Sequence, residues 1–251
     1  MPHGWHHLCT FEHVLKLRAL TGLILLAFCS LDSTILMGQT PDIGWEERPK
    51  ITAITELLPR TRIEIWGELQ HGSNFSFQRW RGGGLLERQM KPIVKAQGIY
   101  IDLNDEHYLV FAGGYEYLHT VQDGSKRIEN RVIAQVTPRL LVGRVLLSDR
   151  NRTEFRWVNG AYDFRYRNKV VILDRLQRGT FKLRPYASGE LYYDRNHHSW
   201  NQNQYGFGVQ FPYKKRWMLD TYLLHQNCTT CSPNSVNMIG VTFNLYFRQK
   251  H

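Results

Sequence analysis

The chain has 251 residues, carries 32 Lys and Arg against 22 Asp and Glu for a formal charge of +10, and is 42% hydrophobic. That length accommodates one sizeable domain or a single closed β-barrel. A basic balance suits nucleic acid or anionic surfaces, but the Arg and Lys are spread along alternating segments without a basic block, so nucleic acid is not an expected partner.

Lys16 and Arg18 precede the apolar run ALTGLILLAFCSL, residues 19–31, which small and polar residues follow. A basic start and a short apolar centre predict a secretory signal peptide over residues 1–38, cleaved near Gly38-Gln39. The run falls short of the about 20 apolar residues that a membrane helix needs. A buried N-terminal helix is the competing reading, but no later segment is helical enough to pack against it. The bulky Phe28 before Cys29 speaks against lipoprotein processing, and residues 39–59 read as an irregular N-terminal linker.

From residue 60 the chain reads as strand after strand, with recurrent short turns and no useful helix-period segment. The predicted strands cover 60–70, 80–102, 107–118, 126–136, 141–158, 161–174, 180–193, 203–212, 216–226 and 236–247, which makes about ten within a range of roughly eight to twelve. Side chains of a strand change faces at every residue. In 62–70, Arg62, Glu64, Trp66, Glu68 and Gln70 oppose Ile63, Ile65 and Leu69. In 127–135, Arg127, Glu129, Arg131 and Gln135 oppose Ile128, Val132 and Ala134. In 241–247, Val241, Phe243, Leu245 and Phe247 alternate with Thr242, Asn244 and Tyr246. The alternation lapses over 84–96, and Asn130 and Asp149 fall among apolar positions.

The stretch RNRTEFRWVNGAYDFRYRNKVVI, residues 150–172, carries the sharpest pattern. Arg150, Arg152, Glu154 and Arg156 before Asn159-Gly160 share a face with Asp163, Arg165, Arg167 and Lys169 after it, while Phe155, Trp157, Phe164, Tyr166 and Val170 share the other. Asn-Gly between alternating runs is a strong hairpin signal, because both residues tolerate the positive φ of a type I′ turn. The turn sets Arg156 opposite Asp163, Phe155 opposite Phe164 and Glu154 opposite Arg165, each such pair contributing roughly 0.2–1 kcal/mol. Arg152 then meets Arg167 and Arg150 meets Lys169, repulsive pairs that need acids: Glu154 lies diagonal to Arg167, and Glu129, Glu64, Glu68 or Glu190 is expected to supply the rest. An ionic face of this kind requires other ionic faces, and a closed barrel supplies them. The expected interior ladder is therefore Glu64, Glu68, Glu129, Arg131, Arg150, Arg152, Glu154, Arg156, Asp163, Arg165, Arg167, Lys169 and Glu190.

Cys228 and Cys231, in the polar stretch NCTTCSPNS, predict one local disulfide in an exported chain. A zinc site would need two further ligands, with His225 the one neighbour of the right type. No metal or cofactor is expected.

Alternation suits two barrels. In a soluble one the aromatics form the core; in a membrane one they face lipid while charges fill the inside. Three features favour the membrane form. The last strand, VTFNLYF, alternates and ends on Phe247, the kind of strand that barrel-assembly machinery reads. Trp157, Trp200, Trp217, Tyr193, Tyr213 and Tyr246 lie near predicted strand ends, where aromatic girdles occur. An even strand count places both termini on one side, with short connections at 103–106, 137–140, 175–179 and 213–215 there, and longer ones at 71–79, 119–125, 194–202 and 227–235 opposite.

From about Trp66 to Phe247 the chain also resembles an uncharacterised family of bacterial outer-membrane β-barrel proteins, catalogued as a domain of unknown function. The resemblance rests on Glu129-x-Arg131, Arg150-Asn-Arg152-Thr-Glu154-Phe-Arg156, Arg165-Tyr-Arg167 and Glu190-x-Tyr192, in that order. It implies an exported barrel in the outer membrane and no activity. The expected fold is all-β, an antiparallel up-and-down transmembrane β-barrel over 60–251, surrounded by outer-membrane lipid. Its Arg/Glu interior is expected either to fill the barrel or to form a narrow, porin-like passage favouring small anions. Two alternatives remain: an exported soluble barrel binding an apolar ligand, and an outer-membrane lipid-modifying enzyme. For the enzyme, Asp194, His197, His198 and Ser199 supply residue types, but neither Gly-x-Ser-x-Gly nor HExxH occurs, and catalysis is not expected.

Overall fold

The computed structural model describes residues 43–90, 109–178, 181–213 and 216–247. The expected signal peptide, 1–38, lies outside the described residues, as do the predicted connection at 103–106 and Pro92. The strands are β1 Ile43–Leu58, β2 Thr61–Gly72, β3 Phe77–Met90, β4 Leu109–Gln122, β5 Ser125–Val142, β6 Val145–Val158, β7 Ala161–Asp174, β8 Leu176–Arg178, β9 Phe181–Asp194, β10 Ser199–Tyr213, β11 Trp217–Cys228 and β12 Ser235–Phe247. Consecutive long strands pair antiparallel, the short β8 adds only to β9, and β12 returns to β1, so that 11 strands close a barrel.

An up-and-down barrel can be antiparallel throughout only with an even number of strands. Here the odd count leaves the first and last strands pointing the same way, and β1 and β12 pair in parallel from Ile43↔Ser235 to Thr55↔Phe247. The start of β1 and the end of β12 therefore lie at opposite ends of the barrel, not on one side as an even count would have it. The additional strand is β1, in the segment 39–59 that reads as a linker in sequence. Its outward positions include Glu47 and Pro49 beside Trp45 and Ile51, which erases the apolar alternation, while Glu46 and Thr52 on the other face are buried.

Pro59-Arg60 and Gly143-Arg144 turn the chain at the end where β12 finishes, hereafter the Gly143 end. Residues 73–76, Asp123-Gly124, Asn159-Gly160, the 3-10 turn Arg195–His197 and residues 229–234 lie at the other, the Asn159 end. Tight turns thus occur at both ends, and the short-against-long division expected of the connections holds only in part. The break expected at 137–140 is absent, because β5 continues through Pro138 to Val142. Pro138 opposes Leu109 of β4, and the β5–β6 register skips from Val136↔Asn151 to Arg139↔Ser148, so no ladder bond to β6 needs the missing N–H.

The β6–β7 hairpin follows the Asn-Gly register, with Val158↔Ala161, Arg156↔Asp163, Phe155↔Phe164 and Arg150↔Lys169. Asn159 and Gly160 have φ of 48° and 87°. The aromatic pairs meet on one side, Phe155 with Phe164 at 5.8 Å between ring centroids and Trp157 with Tyr162 at 5.7 Å.

Two inward glycines make room for rings. Trp66 is buried in a small apolar cluster with Leu85, Ala112 and Ile133, and a Cβ on Gly83 would stand 2.7 Å from its indole. A Cβ on Gly240 would overlap the Tyr222 ring directly across from it. Gly240→Val is expected to lower folding stability by about 1–3 kcal/mol through overpacking, measured by urea unfolding of the purified barrel. Gly67→Ala, where a Cβ meets nothing within 4 Å, should leave the midpoint within experimental error.

Candidate functional site

The two faces of the barrel wall are chemically opposite, with the polar one inside. Phe207 is 61% exposed and Ile65 59%, whereas Glu154 is 0% and Arg156 2% exposed. Large apolar side chains cover the exterior on every long strand, among them Ile51, Leu69, Leu86, Phe111, Val132, Leu147, Val170, Leu191, Leu223 and Ile239. The buried inward positions carry Glu68, Glu87, Glu116, Glu129, Arg131, Glu154, Arg156, Asp163, Glu190 and Asp194. Aromatic pairs lie toward both ends: Trp80–Tyr117, Trp157–Tyr162 and Tyr193–Trp200 toward the Asn159 end, and Tyr213–Trp217 toward the Gly143 end.

The inside charges form one connected network from β2 to β9. Arg156 lies among Glu129, Asp163 at 2.9 Å and Asp194 at 3.3 Å. Arg131 joins Glu129 at 2.7 Å, Glu116 at 3.0 Å and Glu154 at 3.6 Å. Glu154 also takes Arg167 at 2.8 Å, and Arg167 shares Glu190 with Arg150. The Arg167 guanidinium further donates to the Tyr192 hydroxyl and lies 4.6 Å from that ring's centroid. On the far side Glu116 continues to Arg81, which holds Glu68 at 2.6 Å. Burying these ions is tolerable because nearly every carboxylate has a guanidinium partner, the pairing with the shortest and strongest hydrogen bonds.

The register places Glu154 opposite Arg165, yet Arg165 turns to Asp194 at 2.9 Å, and Glu154 takes Arg167 on the diagonal. Of the other ladder positions, Arg152 donates to Gln135, while Glu64 and Lys169 enter no ion pair among the described residues. Several partners lie outside the sequence-derived ladder. Glu116 follows Gly113-Gly114, and Arg81 precedes Gly82-Gly83-Gly84, where missing side chains hide the alternation. Glu46 and Arg48 pair within the strand that reads as a linker. Asp194 reads as the first residue of a loop, but ends β9 with its carboxylate inside. That carboxylate also accepts from the Asn196 N–H at 3.1 Å, so it is committed to structure, while His197 and His198 lie exposed on the adjoining turn.

The outward face has polar exceptions at Asn130 and Asp149. Tyr115 donates its hydroxyl to Asn130. Asp149 accepts from Asn168 at 2.6 Å and Asn151 at 3.2 Å, which leaves its carboxylate hydrogen-bonded on the wall. Cys228 and Cys231 are joined as a disulfide with Cα atoms 5.4 Å apart, in the β11–β12 connection. Among the described residues no group of three or more His, Cys, Asp or Glu is arranged to hold a metal ion.

Network and wall define a closed β-barrel that is apolar outside and ion-paired inside. The chain belongs to the family described as protein of unknown function DUF2490, which matches residues 89–237. That span takes in β4 to β11 and leaves β1, β2, nearly all of β3 and most of β12 outside, a narrower match than the Trp66–Phe247 resemblance. None of the curated proteins matches the chain.

Arg156→Ala leaves three buried acids without their shared cation, and is expected to cost about 3–5 kcal/mol. Arg127 also pairs with Glu129, but its side chain is 46% exposed, and Arg127→Ala should cost under about 1 kcal/mol. Parallel urea titrations of the two variants compare them.

Proposed function

We propose that the protein is an integral β-barrel of the bacterial outer membrane, with an interior closed by ion pairs over its Asn159 half. The observation that carries the reading is the inverted wall. A soluble barrel would hold that surface in water, where contiguous apolar patches beyond a few hundred Å² are rare. Strands of 14 residues, such as β6, β7 and β9, rise about 3.3 Å per residue. Tilted by about 40°, they clear the ~25 Å apolar band of such barrels. The paired aromatics at both ends suit the two membrane interfaces, and the disulfide suits an oxidising compartment. The β12 strand, ending on Phe247, is the element that the assembly machinery would read. No helix among the described residues is long and apolar enough to cross a membrane. We assign no catalytic step, and the role is that of a closed outer-membrane scaffold, not an open pore.

Expression with the native leader in a bacterium with two membranes, followed by fractionation and gel electrophoresis with and without boiling, tests the location. The expected result is an outer-membrane band that shifts on heating; soluble periplasmic protein would refute it. Phe207→Arg, at the middle of β10, is expected to cost about 2–4 kcal/mol in lipid. In water the same exposed substitution would stay within about 0.5 kcal/mol. In planar bilayers the folded protein should be electrically silent, and sustained ion conductance would contradict the closed interior.

A further inference from the structure

The interior network leaves cations over: Arg79, toward the Asn159 end, donates only to the neutral Thr120 and Gln70, and a larger group gathers at the other end. A cavity of about 330 Å³ occupies the Gly143 half of the barrel, within the size range of small-molecule sites. Its wall includes Lys50, Arg152 and Lys169, and none of the three forms an ion pair among the described residues. Arg152 donates one N–H to the neutral amide of Gln135 at 2.9 Å. The Lys50 ammonium stands 5.3 Å from the centroid of the Trp66 ring. Lys169 faces Glu190 across β9 and Arg150 across β6, but Glu190 is already held by Arg150 and Arg167. Of the lining carboxylates, Glu87 is taken by Arg62 and Glu116 by Arg81 and Arg131, which leaves Glu64 as the one without an ion pair. The Nε atoms of Arg81 and Arg150, two further lining residues, are buried without an acceptor.

Three unpaired cations facing one unpaired carboxylate, with buried N–H donors beside them, make an uncompensated positive site. Such a group of charges is costly to enclose unless an anion joins it. We propose that this chamber binds a phosphomonoester group, with Lys50, Arg152 and Lys169 as its principal ligands. A phosphomonoester brings a charge of about −1.5 to −2 and three strong acceptor oxygens, which matches the surplus and the free donors better than a single carboxylate. A guanidinium suits the planar, two-bond approach to phosphate, and the ammonium groups act as adjustable point charges. The volume leaves room for the moiety that carries the phosphate. Such a group occurs on small soluble esters and on lipid headgroups. The inference rests on the inside of the barrel and stands or falls separately from its membrane setting.

The test uses the full chain folded in detergent micelles, its fold checked by heat-shifted migration. Glycerol 3-phosphate and micelle-borne phosphatidic acid are titrated separately by calorimetry, with succinate as the dicarboxylate control. Saturable binding of glycerol 3-phosphate is expected, weakened at least about tenfold by Lys169→Gln or Arg152→Gln and unchanged by Arg127→Gln. Binding of both probes assigns the site to the phosphate group alone, and binding of phosphatidic acid alone assigns it to a lipid headgroup. Neutralising an unpaired cation removes repulsion, so these variants should fold at least as well as the parent. The proposal is overturned if neither probe binds the folded protein, if succinate binds equally well, or if the Lys50→Gln/Arg152→Gln/Lys169→Gln variant binds like the parent.

Discussion

Everything in this barrel depends on Arg156 and the acids that close around it. Glu129 arrives from β5, Asp163 from β7 and Asp194 from the end of β9. Strands that bear a charge on every second residue cannot leave those charges bare on either side of a thin wall. Closing the sheet brings them together, and the exchange of partners among Arg131, Glu154 and Arg167 extends the arrangement across neighbouring strands. Buried ion pairs add little net stability compared with apolar packing, but breaking one is expensive. Their physical role here is register: a strand that slips by one residue turns its inward charges to the apolar side of the wall and its outward apolar side chains into the barrel.

The rest of the interior divides around that network. From β10 to β12 the inward side chains are mostly neutral, with Gln204 donating to Gln226 and accepting from Tyr192, and Tyr186 donating to Asp220. Glycines on this side give the space to rings, as at Gly240 beneath Tyr222. Along the barrel axis the division is between a packed, largely charge-balanced Asn159 half and a Gly143 half whose cations outnumber their partners. One chain therefore carries both a lock, in which acids and bases largely balance, and a chamber, in which they do not.

Much of this was legible in the sequence because alternation is a local property. The strands at 161–174 and 236–247 and the β6–β7 register follow from residues close in the chain, with Asn159-Gly160 fixing the pairing. What escaped is non-local or disguised. β1 has Glu47 and Pro49 on its outward face, and its best partner, β12, is about as far along the chain as the fold allows. Arg165 chose Asp194 over the Glu154 directly across from it because β7 lies between β6 and β9, and a register argument sees one neighbour at a time. Trp66 sits on a face that is otherwise charged, and only Gly83 from the next strand explains how its indole fits.

The central claim is that the apolar face meets lipid and the ionic face does not. Quenching of tryptophan fluorescence by brominated phospholipids tests it most directly. In reconstituted protein with a single tryptophan, placed either by Phe207→Trp on the outer wall or retained as Trp66 inside, heat-shifted migration would confirm that both variants fold. Strong bromine quenching is expected at position 207 and little at Trp66. Weak bromine quenching at 207 together with ready quenching by aqueous acrylamide would put that wall in water and contradict the account.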